Sequence, residues 1–236
     1  MKGIKALLFD YFGTVVDWRS TVIEEGEAVG RHLGMRIDWP KFADSWRLDG
    51  YIATIMKVAS GEMPWAPIDI VHRRKLDLLL AEYNLKGLSE EQIRSFNRVW
   101  HRLKPWADSV GGLTRLKKKF IVAPFSNGDF NLLVNSVKTA GLPWDCILSG
   151  DMFKKFKPNL EIYKDAVALL GMEPGETMMV AAHPWDLEMA SKVGMRTAYV
   201  HRPLEFGPQA TKENVSTTSF DFIVSDFNEL ATVLGA

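Results

Sequence analysis

The chain has 236 residues, 47% hydrophobic and 25% charged, a length and composition suited to one large globular domain or a core carrying an inserted unit. Its 29 Lys+Arg balance 29 Asp+Glu, so the formal net charge is zero and no nucleic-acid partner is expected. A single cysteine, Cys146, excludes an intrachain disulfide framework, and its apolar neighbours Trp144 and Ile147 mark it as a small core residue. No stretch approaches the ~18 apolar residues of a membrane helix, and the opening apolar run is too short for a secretion signal. A cytoplasmic location with no membrane partner is therefore expected.

The first element is a strand over 4–10, an apolar run ending in the carboxylate of Asp10 and followed by a turn at Gly13 and Thr14. In a parallel α/β fold such a strand delivers its last residue to the carboxyl edge of the sheet, where sites form. From about 18 to 105 no strand is apparent. Segments 20–33, 41–59, 66–83 and 89–103 carry apolar residues at three- and four-residue spacing, separated by breaks at Gly34, Pro40, Gly61, Pro64 and Gly87. Ser89, followed by Glu90, Glu91 and Gln92, reads as a helix start. The pattern predicts an all-helical insert directly after the first strand.

Strand and helix then alternate. Strands are expected at 120–125, 146–149, 177–182, 197–200 and 222–224, and helices at 131–140, 160–170, 187–193 and 227–234. This predicts an α/β chain with a Rossmann-like parallel sheet core formed by 1–17 and 106–236, capped by the helical unit 18–105. Polar residues follow the later strands: Ser126-Asn127-Gly128, then Lys157-Pro158 with Tyr163 beyond, then His183-Pro184-Trp185-Asp186. Each is ordinary alone, because an Asp after a strand often only caps a helix and Ser-Asn-Gly is a common turn. His201-Arg202-Pro203 follows a strand and could reach the edge of the site, though a surface loop is the simpler reading.

This set, in this order, resembles the haloacid dehalogenase superfamily: Asp10-Tyr11-Phe12-Gly13-Thr14, Ser126-Asn127-Gly128, Lys157-Pro158 and the stretch ending in Asp186. Two positions separate it from the phosphatases of that superfamily. Phe12 stands where they carry a second acid to protonate the leaving alcohol, and Ala181-Ala182-His183 replaces their metal-binding Gly-Asp-Ser. A halide leaving group needs no such proton. It needs a desolvated carboxylate and a pocket that stabilises anionic charge.

The nearer resemblance is to the type II 2-haloacid dehalogenases. It implies displacement of halide from a short 2-haloacid by Asp10, hydrolysis of the resulting ester to a 2-hydroxyacid, and no metal or organic cofactor. By the same resemblance Asp10 is the nucleophile, and Thr14 and Ser126 position it or the substrate carboxylate. Lys157 offsets its charge, Tyr163 supports it, Asp186 orients or activates water, and Asn127 lines the halide pocket. Tyr11, Phe12 and Trp185 are expected to line the substrate site. Arg47, in Ser45-Trp46-Arg47 with Tyr51 a turn on, is the halide-binding candidate; Arg73, Arg74 and Arg102 are alternatives.

Ala181 and His183 depart from the family's Ser and Asn. His183 is assigned to the site because it lies three residues before Asp186 at a strand end. A related group with Ala-Ala-His hydrolyses fluoroacetate, so defluorination is an expected activity, with Arg47, Asn127, His183 and Trp185 as donors. A phosphatase-like hydrolase of a small phosphate ester is the alternative function. The partner expected is a small haloacid, and the assembly stays open between monomer and homodimer.

Overall fold

The computed structural model describes residues 3–208 and 220–236. Six parallel strands form one sheet: β1 (Ala6–Phe9), β4 (Ile121–Ser126), β5 (Leu148–Ser149), β6 (Thr177–Ala181), β7 (Arg196–Val200) and β8 (Phe222–Val224), in the spatial order β5-β4-β1-β6-β7-β8. β1 sits centrally, with Leu8 paired to Ala123 of β4 and to Met179 of β6. Side chains alternate between faces along each strand. Leu7, Phe9, Val122, Met178 and Val180 therefore enter one core, and Leu8, Ala123, Met179 and Ala181 the other. Both faces are buried, as parallel sheets require.

The expected helical insert is present. It comprises α1 (Trp18–Leu33), α2 (Trp39–Ser45), a π-helical turn (Trp46–Ile52), α3 (Ala53–Ala59), α4 (Ile68–Glu82), α5 (Glu90–Asn97) and a 3-10 turn (Arg98–His101). Local chemistry sets its ends. Asp17 accepts the Ser20 N–H at the start of α1, and Gly34 ends that helix at φ 65°. Ser89 and Gln92 form the capping box that starts α5. The periodicity over 41–59 gave no sign of the wider π turn at its centre.

A two-residue antiparallel ribbon, β2 (Val16–Asp17) with β3 (Lys104–Pro105), joins the insert to the sheet. It is too short to leave a pattern. The sheet's helices are α6 (Ser109–Leu116), α7 (Phe130–Ala140), the short α8 (Gly150–Phe153), α9 (Leu160–Leu169), α10 (Pro184–Lys192) and α11 (Phe227–Val233). Of these, α6 and α8 had no counterpart in the sequence reading.

The insert and sheet share the first core, in which Trp18, Trp46, Trp100 and Phe42 are fully buried. Polar contacts lock the same seam. Asp129, just past β4, accepts the backbone N–H groups of Ile68 (2.7 Å) and Asp69 (2.8 Å), capping α4 from the sheet side. His101 bridges Asp69 (2.7 Å) and Asn135 of α7 (2.9 Å). No helix among the described residues is long and apolar enough to cross a membrane.

Candidate active site

Asp10 leaves the end of β1 at the carboxyl edge of the sheet, and the turn after it keeps it there. The Tyr11 carbonyl accepts the Val15 and Val16 N–H groups, and Gly13 adopts φ 86°, a region that L side chains rarely occupy. Thr14 Oγ1 donates to Asp10 Oδ2 at 2.8 Å and itself accepts the Ala182 N–H at 2.9 Å, tying the turn to the end of β6. After the insert, Trp106 Nε1 donates to the Gly13 carbonyl and Ser109 Oγ to that of Val15.

Lys157 lies between two carboxylates. Its Nζ donates to Asp10 Oδ1 at 2.9 Å and makes a very short contact with Asp186 Oδ2. The other Asp186 oxygen accepts the Tyr163 hydroxyl at 2.5 Å. The side chain of Lys157 is 1% exposed and that of Asp186 is fully buried. Burial alone would discharge all of these groups. It pushes Asp10 up, but Lys157 and His183 outweigh it and hold the carboxylate well below its usual range. It pushes Lys157 down, but Asp10 and Asp186 reverse the shift and keep the ammonium charged. Burial raises Asp186, opposed by Lys157. Burial and the Asp186 carboxylate keep the Tyr163 phenol protonated as a donor.

The expectation that Asp186 orients or activates water meets a different arrangement. It is fully buried, and its oxygens accept from Lys157 and Tyr163. Its visible work is to hold Lys157 under Asp10. Asn127 is similarly engaged: its amide donates to the Lys157 carbonyl (3.1 Å) and accepts the Lys157 N–H (2.7 Å). It therefore positions the lysine's backbone. Ser126 Oγ accepts the Gly128 N–H at 3.0 Å, which fixes the hydroxyl at the strand end.

His183 reaches Asp10. Its Nδ1 is 2.9 Å from Asp10 Oδ2, and its Nε2 is 3.0 and 3.1 Å from the two oxygens of Glu205. Burial disfavours the charged ring, but Glu205 and Asp10 raise its pKa to about 10. Trp185 stacks on the ring with centroids 6.0 Å apart.

Glu205 was missed in the sequence, and Arg202 was misplaced as part of a surface loop. The Arg202 guanidinium forms a bidentate pair with Asp108 (2.8 Å each) while its Nε donates to the Thr14 carbonyl, so this residue anchors the loop after β7. Glu205 follows one turn later and is 3% exposed. The available signal was positional: β7 is a parallel strand, and acids just beyond its carboxyl end belong at the site edge.

Arg47 comes from the π-helical turn, a local widening frequently found at functional sites. It is 4% exposed and lies over the rings of Tyr51 (4.3 Å), Phe12 (5.0 Å) and Trp18 (5.6 Å). Its Nη1 is buried with no hydrogen-bond partner among the described residues. Gly50 lets the turn approach α4, since a Cβ there would meet Lys75 Cγ at 2.5 Å. The alternative arginines are accounted for elsewhere: Arg73 pairs with Glu90 and Asp77, Arg102 with Glu25, and Arg74 is exposed.

Phe12 fills the position two residues past the nucleophile, edge-on to Tyr11 (5.3 Å), Tyr51 (5.5 Å) and Trp100 (6.1 Å). The Tyr11 phenol lies beside Ser136. A residue the sequence did not flag, His72, completes this wall. It stacks on Trp100 at 4.2 Å, and burial together with the Arg47 charge keeps it neutral. The arrangement sets a buried Asp10 carboxylate, backed by Lys157, beside Phe12, whose ring also lies under the buried Arg47 guanidinium.

A family model described as haloacid dehalogenase-like hydrolase matches residues 4–194. The chain belongs to this family. The chain is similar to the crystal structures of the L-2-haloacid dehalogenase PA0810 (39% identity, TM-score 0.93, 99% of each chain) and of the defluorinating L-2-haloacid dehalogenase Rha0230 (39% identity, TM-score 0.94). The latter match covers 99% of this chain and 96% of that one. Among curated relatives, (S)-2-haloacid dehalogenase 4A of Burkholderia cepacia is 27% identical over 241 residues, covering 92% of this chain and 93% of the relative. The type II resemblance read from the motifs and the α/β fold with its helical insert are both supported by these relatives.

Proposed function

We propose that this haloacid dehalogenase-like hydrolase converts short 2-haloacids to 2-hydroxyacids through an ester on Asp10. The observation that carries the reading is the presence together of a buried Asp10, held well below the usual carboxylate range by Lys157 and His183, and a buried Arg47 whose Nη1 has no partner among the described residues. A buried unpaired cation is costly unless an anion arrives to meet it. A halide developing negative charge as carbon–halogen cleavage proceeds meets that need.

The Asp10 carboxylate attacks C2 and expels halide toward Arg47, with Lys157 and Thr14 holding the carboxylate in place. Ser126 at the end of β4 supplies a hydroxyl for the substrate carboxylate. Water then attacks the ester at the Asp10 carbonyl carbon and frees the hydroxyacid. Phe12 presents no proton for a leaving alcohol, which sets this site apart from phosphate-ester chemistry.

Fluoroacetate belongs among the proposed substrates. Phe12, Trp18 and Tyr51 enclose Arg47 and dehydrate the halide site, and a structural neighbour carries the name defluorinating. Of the four donors expected from the sequence, His183 has both ring nitrogens on carboxylates and Asn127 gives one amide N–H to the Lys157 carbonyl, while Arg47 Nη1 has no partner among the described residues. Segment 18–105 is read as the cap over this site. Its seam with the sheet at Asp129 and Phe12 supports that division, and the free thiol of Cys146 supports a cytoplasmic setting.

The test is halide release, read by ion-selective electrode, from chloroacetate, fluoroacetate and each enantiomer of 2-chloropropionate, with EDTA present. Release that survives EDTA and vanishes in Asp10→Asn supports the reading. No release from any of them by folded protein refutes it.

A further inference from the structure

We propose that Glu205 is the positioning residue that makes His183 the base of the hydrolytic half-reaction, an inference that rests on the dehalogenase reading above. The first reason is that Asp186 is fully buried, with Lys157 on one oxygen and Tyr163 on the other, and makes no hydrogen bond with Asp10. The second is the line of groups running the other way from Asp10. His183 Nδ1 faces Asp10 Oδ2 at 2.9 Å, and Nε2 faces the Glu205 carboxylate at 3.0 and 3.1 Å. Glu205 Oε1 also accepts the Trp18 indole N–H at 3.1 Å, so its orientation is fixed from a second side. The third is space. A Cβ on Gly13 would stand 2.0 Å from Glu205 Oε1, so the nucleophile's turn is built around this carboxylate.

The chemistry follows from which charges face the ring. Those that touch it are Asp10 and Glu205; Lys157 acts on it through Asp10, and Asp186 lies beyond Lys157. In the resting enzyme two carboxylates face the two ring nitrogens, and both nitrogens carry protons. Attack by Asp10 forms the Asp10–C2 ester bond and breaks the carbon–halogen bond, which turns Asp10 into a neutral ester. One of the two anions holding the imidazolium is then gone. The Nδ1 proton leaves to solvent, and this is the one proton that overall conversion of a carbon–halogen bond and water to an alcohol and halide must release. Glu205 keeps the remaining proton on Nε2, leaving the Nδ1 lone pair directed at the ester. Water gives a proton to Nδ1 as its oxygen bonds to the Asp10 carbonyl carbon. Collapse breaks the bond from that carbon to the substrate oxygen, and the second water proton passes to the departing alkoxide. Asp10 is a carboxylate again, facing a doubly protonated His183, which is the resting state. Glu205 thus selects the tautomer, and the charge on Asp10 switches the base on and off.

The experiment follows both half-reactions with L-2-chloropropionate in rapid mixing, reading halide, proton release by pH indicator, and the Asp10 adduct by intact-protein mass spectrometry. In the wild type, one proton per site is expected to appear with the halide of the first turnover. In Glu205→Gln the first halide per site is expected at near the wild-type rate. Turnover then slows by about 100-fold or more, the scale of a lost general base, and the ester accumulates on Asp10. Glu205→Asp, which keeps the charge, should restore part of the turnover. Equal slowing of both phases in Glu205→Gln with no accumulated ester would overturn the proposal, as would a wild-type proton that appears only with hydrolysis. The wild-type measurement stands even if the variant folds poorly. Wild-type enzyme that yields neither halide nor an Asp10 adduct would instead overturn the dehalogenase reading itself.

Discussion

Replacing Lys157 by Met removes the only cation between Asp10 and Asp186 while keeping most of the side-chain volume. At about 3 Å and an effective dielectric of about 20, each carboxylate–ammonium contact is worth roughly 5–6 kcal/mol before desolvation is subtracted. Breaking a buried pair by removing one partner typically costs about 3–5 kcal/mol, because a buried charge is left uncompensated. At about 2–4 °C per kcal/mol for a chain of this size, the melting temperature should fall by about 6–20 °C. The pH dependence should also change sign. In the wild type Asp10 is held below its ordinary range, against burial, by Lys157 and His183. Its contribution to stability is present above the ordinary carboxylate pKa and is lost as pH falls through its lowered one. Without Lys157, burial dominates at the two carboxylates and one of them takes up a proton. Lys157→Met should therefore become more stable, relative to wild type, as pH drops from about 8 to 5. Adding Asp186→Asn should recover about half of the loss. Thermal unfolding followed by circular dichroism across that pH range reads all three effects. A Lys157→Met protein that melts within about 3 °C of wild type, with the same pH slope, would refute the charge accounting.

Arg47→Met should cut kcat/KM for chloroacetate by about 100-fold or more while leaving the melting temperature within a few degrees, because Arg47 Nη1 has no partner in the described structure to lose. Steady-state kinetics and melting on the same preparation test this split. Gly13→Ala should destabilise by about 2–4 kcal/mol, combining a left-handed backbone with overpacking against Glu205, as read from urea midpoints. The raised pKa of His183, about 10, makes its contribution to stability fully present below about 6.5 and lost as pH rises through about 10. His183→Asn should flatten that alkaline loss in urea titrations at pH 7 and pH 10. Asp129→Ala removes the side-chain cap from α4 and should cost about 1–2 kcal/mol, with hydrogen exchange accelerated first at Ile68 and Asp69.

What could be read in advance tracks how local the determining physics is. β1, β4 and β6 were legible because burial on both faces leaves an uninterrupted apolar run. Asp10, Lys157 and Asp186 were legible because strand ends in a parallel sheet converge on one edge. α5 announced itself through Ser89 and Gln92, a cap made of neighbours. The β2–β3 ribbon was invisible, because two residues on either side of an 86-residue interval leave no period. The contacts of Asn127 and Asp186 were hidden for a related reason: residue type and order cannot say which neighbour a polar side chain engages, and here both engage Lys157. Glu205 was hidden because its burial depends on Gly13, Trp18 and Arg202, three residues separated from it by nearly the whole chain or fixed by a partner of their own.

The charges of the site explain why these distant residues must meet. Asp10, Asp186 and Glu205 are opposed by Lys157, His183 and Arg47, and among the described residues each of these groups is ion-paired except Arg47. The five paired groups carry one net negative charge, which alone would repel an anionic substrate. Arg47, packed on the ring of Phe12 and in no ion pair among the described residues, offsets it. A carboxylate at position 12 would pair with Arg47. The phenylalanine is therefore more than the loss of a phosphatase's second acid. An apolar ring there cannot pair with Arg47, and under the proposed reaction Arg47 is left for the halide.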